Sequence, residues 1–307
     1  MSRESEKAMK KMHEFLEQHA TQDMSTEQIN ALLQEFTQHY NDNLPEPVTE
    51  KTARTADDYL ELAQEAEEDD QIANALKYAK KALKLDPDNL DAELLVAQYG
   101  ASDPVDLLKK VERVLSHGDQ LMKREGFMEE ENIGHFWGIL ETRPYMRLKG
   151  TYMHILVECG MTGKAVREGE EMIRLCENDN PGVRYTLMHL YALLDREEDA
   201  LALHRKYDGQ EETQMLLPLS ILYFKKGDLS AAEKYLRKLA KVNKDTAKFF
   251  KAFREDNLEK YLDDMSGYGY RPFTIEELAV EMMENEFLFR FVPAYFIWAQ
   301  EQLKRRR

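Results

Sequence analysis

Residues 56–89 read ADDYLELAQEAEEDDQIANALKYAKKALKLDPDN. The stretch predicts two helices. Tyr59 and Leu62 place large apolar residues early in the first. Ala75, Ala79 and Ala82 put small residues on one face of the second, where a close crossing demands them. Asp86 and Pro87 end the unit, since proline cannot continue a helix and restricts the residue before it.

Weaker copies follow. Residues 146–179 carry Tyr152, Leu156, Gly160, Ala165 and Met172 at equivalent offsets. Residues 181–212 carry Leu187, Tyr191, Asp195 and Ala200, and residues 213–246 carry Leu216, Leu219, Tyr223, Gly227, Ala232 and Leu236. The alanines at 165, 200 and 232 recur at a near-constant interval, the mark of a solenoid whose repeats bury their faces against neighbours. The pattern resembles the tetratricopeptide (TPR) repeat. That resemblance implies an all-α fold, an α-α superhelix of antiparallel helix pairs, with the first helix of each pair lining a concave groove.

The flanks are read from caps and breakers. Met9, Met12, Phe15 and Leu16 form an apolar stripe on an opening helix over about 4–19. Ser25 and Gln28 form a capping-box signal for a second helix, which NDNLPEP (41–47) ends. Between 90 and 145 the period breaks. Residues 92–99 suit a first helix, and Asp103 with Pro104 opens a longer helix to about Arg124. An inserted loop or short helix is expected next. Beyond 246, Leu258–Met265 suggests a short helix, SGYGYRPFT (266–274) a turn, and Thr274 with Glu277 a capping box before helices at about 275–285 and 286–304. The apolar EFLFRFVPAYFIWAQEQL (286–303) is expected to cap the last repeat. The expected organisation is thus an N-terminal hairpin (1–47), a repeat array (48–246) with an irregular insertion at about 126–145, and a C-terminal cap (247–307).

Composition narrows the function. A formal net charge of -16 repels phosphate backbones and anionic lipid, so neither nucleic acid nor membrane is expected as a partner. The basic residues Lys304 to Arg307 suit a helix C-terminus. No secretory leader and no membrane-spanning run is read. Cys159 and Cys176 lack zinc or redox spacing and are expected as reduced thiols within helices, which fits the cytoplasm. No phosphate loop, H-E-x-x-H or G-x-S-x-G occurs. Acidic runs read as solvated faces and the histidines as isolated, so no metal, no cofactor and no enzyme are expected.

The segment GHFWGILETRPYMR (134–147) concentrates His135, Trp137, Glu141, Arg143, Tyr145 and Arg147. Trp, Tyr and Arg anchor interfaces, and Arg143 or Arg147 suits a bidentate carboxylate. NPGVRYTLMHLYALL (180–194) adds Arg184 and Tyr185 at a helix start. Arg147 and Arg184 hold comparable places in their repeats, so both are candidates for the groove. The competing structural reading has Trp137 and Tyr145 filling a gap while Glu141 and Arg143 tie a loop down. With its ETRPYMR and NPGVRY segments, the chain up to about residue 246 is similar to certain bacterial TPR proteins, which implies fold and little more.

The expected function is a non-catalytic interaction module that holds a polypeptide with a basic or amphipathic segment. A regulator gated by a peptide or small ligand is the alternative. An enzyme built around His135, Glu141 and Arg143 is a third reading.

Overall fold

The computed structural model describes residues 3–21, 23–43, 46–207, 209, 211–263, 265 and 269–304. Among them the chain is helical and has no strand: an all-α solenoid of paired helices. Two compact units divide at Leu148 and Lys149.

Unit 1 opens with α1 (Arg3–His19) and α2 (Thr26–Asp42). The Ser25 side chain accepts from the Gln28 amide, and the Gln28 side chain accepts from the Ser25 amide, completing the capping box. Tilted rings join the two helices, Phe15 against Phe36 at 5.5 Å. Next come α3 (Ala56–Glu68) and α4 (Ile72–Leu85), the pair read first from sequence. Ala79 and Ala82 of α4 are fully buried with Ala63 of α3 and Ala92 of the next helix. The period break is an additional hairpin. α5 (Leu90–Tyr99) packs on α4, and α6 (Pro104–Arg124) packs on α5. Asp103 caps α6 with bonds from the Val105 and Asp106 amides at 2.9 Å. Three 3-10 turns follow, at Glu130–Asn132, Phe136–Gly138 and Leu140–Thr142, and lead into α7 (Arg143–Glu158).

The later part of α7 belongs to unit 2 and packs on α8 (Thr162–Leu175), where Met153 crowds Gly169. Two more pairs follow: α9 (Val183–Leu193) with α10 (Glu197–Lys206), and α11 (Thr213–Lys225) with α12 (Leu229–Val242). Cys159 and Cys176 are free thiols just past the ends of α7 and α8, not within the helices as expected, because each sits where the chain leaves its helix.

The repeats share one turn. Asp70, Gly160, Asp195 and Gly227 each adopt positive φ, at 58°, 69°, 57° and 81°, two residues past the first helix of a pair. This left-handed residue lets the Gln71 amide reach back to the Ala66 carbonyl at 2.7 Å and the Met161 amide to Leu156 at 2.8 Å, closing orphan carbonyls. Five positions later stand Ala75, Ala165, Ala200 and Ala232, all with no exposed surface. The α5–α6 hairpin lacks this turn: Gly100 has φ -92°.

The C-terminal helices are α13 (Thr246–Arg254), α14 (Glu259–Asp263), α15 (Ile275–Glu284), α16 (Glu286–Phe289) and α17 (Pro293–Lys304). The expected 286–304 helix is broken, since Pro293 starts α17 and leaves Arg290, Phe291 and Val292 between helices. Ser266 to Tyr268 of the expected aromatic turn, and Arg305 to Arg307 of the basic tail, lie outside the described residues. The Thr274 cap is made differently from a capping box: Glu277 accepts the Phe273 amide at 2.7 Å, while the Thr274 side chain accepts from Glu276. α17 packs on α12 and α13. Tyr295 donates to the Ser220 hydroxyl at 2.8 Å, and Phe296 stacks on Phe253 with centroids 3.8 Å apart.

α15 packs on α13, α14 and α11, and α16 packs on α9; α9 and α11 are the first helices of their pairs. At their centre His189 Nε2 meets Glu281 Oε1 at 3.1 Å, with both side chains fully buried. His189 Nδ1 faces the Tyr185 carbonyl at 2.7 Å and therefore carries a proton. In a neutral ring Nε2 is then the acceptor, and Glu281 donates to it as a neutral acid. Burial agrees: it pulls His189 down to about 4 and pushes Glu281 well above its usual range, with Glu277 and Glu284 adding to the push.

Two predictions follow from these contacts. Gly160→Ala puts a Cβ on a left-handed residue and should cost about 1–2 kcal/mol, whereas Asp70→Gly should raise the urea midpoint. Glu281→Gln keeps a donor for His189 but cannot ionise. Above about pH 4.5 the unfolded chain ionises Glu281 while the folded chain holds its proton, so the Glu281 contribution to wild-type stability falls as pH rises; His189, present in both chains, adds an opposite slope below about pH 6.5 that cancels in the comparison. The variant should gain on wild type between pH 5 and 8, by up to about 1.4 kcal/mol per pH unit until the folded acid titrates. A variant that instead loses ground with rising pH would show that the pair is ionic.

Candidate functional site

The segment 126–142 lacks regular helix, so its backbone groups need other partners. Thr142 supplies one, donating its hydroxyl to the Phe136 carbonyl and to the Ile139 carbonyl. Arg143 supplies another. Its Nε donates to the Trp137 carbonyl at 2.9 Å, and its guanidinium lies 5.6 Å from the Trp137 ring centre. Arg143 is only 2% exposed. Tyr145 is buried beside Phe136 and donates its hydroxyl to Asp119 of α6 at 2.7 Å. His135 and Glu141 are exposed, and Trp137 is half-buried. Of the six residues in this segment, Arg143, Trp137 and Tyr145 therefore fasten the loop to unit 1.

Arg147 does more. Its Nε and one terminal nitrogen form a fork on Asp91 of α5, at 2.9 and 2.5 Å. The other terminal nitrogen meets both oxygens of Glu6 in α1, at 3.2 and 3.0 Å. Burial opposes the charge of Arg147, but the two carboxylates outweigh it and hold the guanidinium firmly protonated. Glu6 also lies 4.0 Å from Arg143, and the Met9 sulfur is 3.9 and 4.0 Å from the Arg143 terminal nitrogens.

The same side of unit 1 continues on α3. Lys7 of α1 pairs with Glu61 at 2.5 Å, and Lys10 pairs with Asp57. Beyond them Glu65 is raised above its usual range, first by burial and then by Glu61, with Lys7 opposing. The first helices α3, α5 and α7 thus present two acids at one end and two arginines at the other, with Asp91 between them. α1 lies against this array: Lys7 and Lys10 pair with Glu61 and Asp57, and Glu6 serves both arginines, while Asp91 is held by Arg147.

In unit 2, Arg184 is held at the start of α9. Asp179 accepts the Val183 amide at 2.7 Å and the Arg184 amide at 3.0 Å, which caps the helix, and it takes the Arg184 side chain at 3.1 Å. The Arg184 guanidinium stacks over Tyr185 at 4.2 Å and Tyr207 at 5.1 Å, and reaches Glu212 at 3.4 Å. Burial raises Tyr185 to about 12, so its hydroxyl stays protonated. Arg184 and Tyr185 are thus fixed by their own unit, and each arginine singled out in sequence has a built-in carboxylate.

The residues that sequence reasoning missed are the carboxylates: Glu6, Asp91, Asp119 and Asp179. Asp91 and Asp179 look like ordinary helix-start acids, and nothing in the chain ties Glu6 to Arg147. Among the described residues no cluster of His, Cys, Asp or Glu is arranged to hold a metal ion, and no helix is long and apolar enough to cross a membrane.

Comparison with known proteins agrees with the helix pairing. A family model described as a tetratricopeptide repeat matches residues 58–89 and 214–246, which are α3–α4 and α11–α12. No curated protein matches the chain. Among solved structures, the MamA protein is similar at 15% identity and a TM-score of 0.45, over 63% of this chain and 94% of that one. The chain is an all-α helical solenoid that carries tetratricopeptide repeats.

Proposed function

We propose that the chain binds a polypeptide on the first-helix side of its repeats, and that the site is the face of α3, α5 and the start of α7 in unit 1. Tetratricopeptide repeats generally mediate protein–protein interaction. The observation that carries the choice of face is the linear array of Asp57, Glu61, Asp91, Arg143 and Arg147, which already engages one helical segment of the chain through both charge signs.

In unit 2 the corresponding side is covered by α15 and α16, with Leu278, Ala279, Glu281, Leu288 and Phe289 buried. A partner would have to dismantle a packed core to enter there. In unit 1 the covering helix keeps every described side chain at least partly exposed. The net charge of -16 favours encounter with a partner whose segment carries basic residues.

Selection of displayed peptides on the full chain, followed by hydrogen exchange of the complex, tests this reading. Selected peptides should slow exchange in α3, α5 and the first turns of α7, and their binding should weaken as salt rises. Protection confined to the second helices α4 and α6 would end the proposal.

A further inference from the structure

Helix α1 uses two different sides. With about 100° per residue, Glu6, Lys7, Met9 and Lys10 fall within an arc of about 160°. That arc carries the contacts to α3 and α7. Phe15 points the other way, onto Phe36 of α2. Among the described contacts, the helix is held to the repeats by a short row of side chains that includes Glu6, Lys7, Met9 and Lys10.

The row has an order. Glu6, nearer the helix start, meets Arg147 and Arg143. Lys7 and Lys10, up to one turn later, meet Glu61 and Asp57 of α3. Met9 lies over Arg143, a soft contact with no fixed geometry. The acceptor face is equally ordered, so a helix laid on it in the reverse direction would set Lys against Arg and Glu against Glu.

The attachment is shallow. The Lys10–Asp57 pair is more than half exposed at both side chains, and the Lys7–Glu61 and Arg147–Glu6 side chains are each about one-third exposed. No described residue of α1 or α2 is buried. Pairs of this kind are screened by salt and exchange readily with competing charges.

We infer that α1 is a releasable intramolecular occupant of the polypeptide-binding face, and that the partner replacing it is an amphipathic helix with the same charge order. That helix carries an acid for Arg147, a flexible apolar side chain three positions on, and basic residues for Glu61 and Asp57. The inference rests on the polypeptide-binding reading of this face and adds the partner's chemistry and its gate. While α1 is docked, it competes from within the same chain at a high effective concentration.

The test uses the full chain and its Lys7→Glu/Lys10→Glu variant, with a synthetic peptide of residues 3–19 labelled at its C-terminus as the probe. The reversed charges face Glu61 and Asp57 and should undock α1. Hydrogen exchange of α1 should then quicken, while the circular dichroism melt of the repeats stays in place. Fluorescence anisotropy should show the peptide binding the variant at least tenfold more tightly than wild type. A peptide with Glu6→Lys should lose at least tenfold on the variant.

Unchanged α1 exchange in the variant, or equal peptide affinity for both chains, overturns the inference. Wild-type chains that exchange α1 as dimers, seen by size-exclusion chromatography over a concentration series, overturn the intramolecular assignment. If displayed peptides protect this face while α1 stays docked, only the gate fails. If α1 undocks and neither the 3–19 peptide nor any displayed peptide binds, the reading of the face fails with it.

Discussion

The tight crossing at Ala75, Ala165, Ala200 and Ala232 is what the remaining architecture depends on. At these positions a methyl group is all the side chain there is, and none of it is exposed. Five residues earlier the chain reverses through a left-handed residue whose backbone ties off the preceding helix. Together the two features return the second helix close against the first and set each pair up to stack on the next. Side chains that look scattered in sequence, such as Asp57, Asp91 and Arg147, then gather on one side of successive first helices. The proposed binding face is a by-product of that stacking.

The chain covers its first helices in two ways with different energetics. In unit 2, α15 and α16 bury a run of apolar side chains and a fully enclosed His189–Glu281 pair. Each large apolar side chain buried there contributes about 1.5–3 kcal/mol. In unit 1, α1 is held by exposed or half-exposed ion pairs, each worth about 0–1 kcal/mol and weaker in salt. One cover is part of the core and the other is a docked segment.

Much of the fold was legible because it depends on local signals. The alanine spacing, the Asp103–Pro104 helix start and the Ser25 capping box each declare their structure within a few residues. The break at Pro293 was legible in principle, but the surrounding apolar run concealed it. The candidate site was readable only in part. Arg143, Tyr145 and Arg147 stood out by type, yet their roles are set by Trp137, Asp119, Asp91 and Glu6, and three of those four lie far away in sequence. Ion pairs leave no periodic trace in a chain with 58 acidic residues, so no pattern selects Glu6 from the rest. The seating of α15 on α11 and α13, and of α16 on α9, was unreadable for the same reason: amphipathicity says that a face is buried, not against what.

The contact between Glu6 and Arg147 joins residues 141 positions apart. At typical synthesis rates of about 5–20 residues per second, Arg147 is made on the order of ten seconds after Glu6. During that interval the α1 segment, with its lysines, its glutamate and its methionines, has no Arg143 or Arg147 to pair with. The stack must reach α7 before both ends of its docking row are present. The nascent chain therefore passes through a stage at which α1 is offered to its surroundings before its own repeats can claim it.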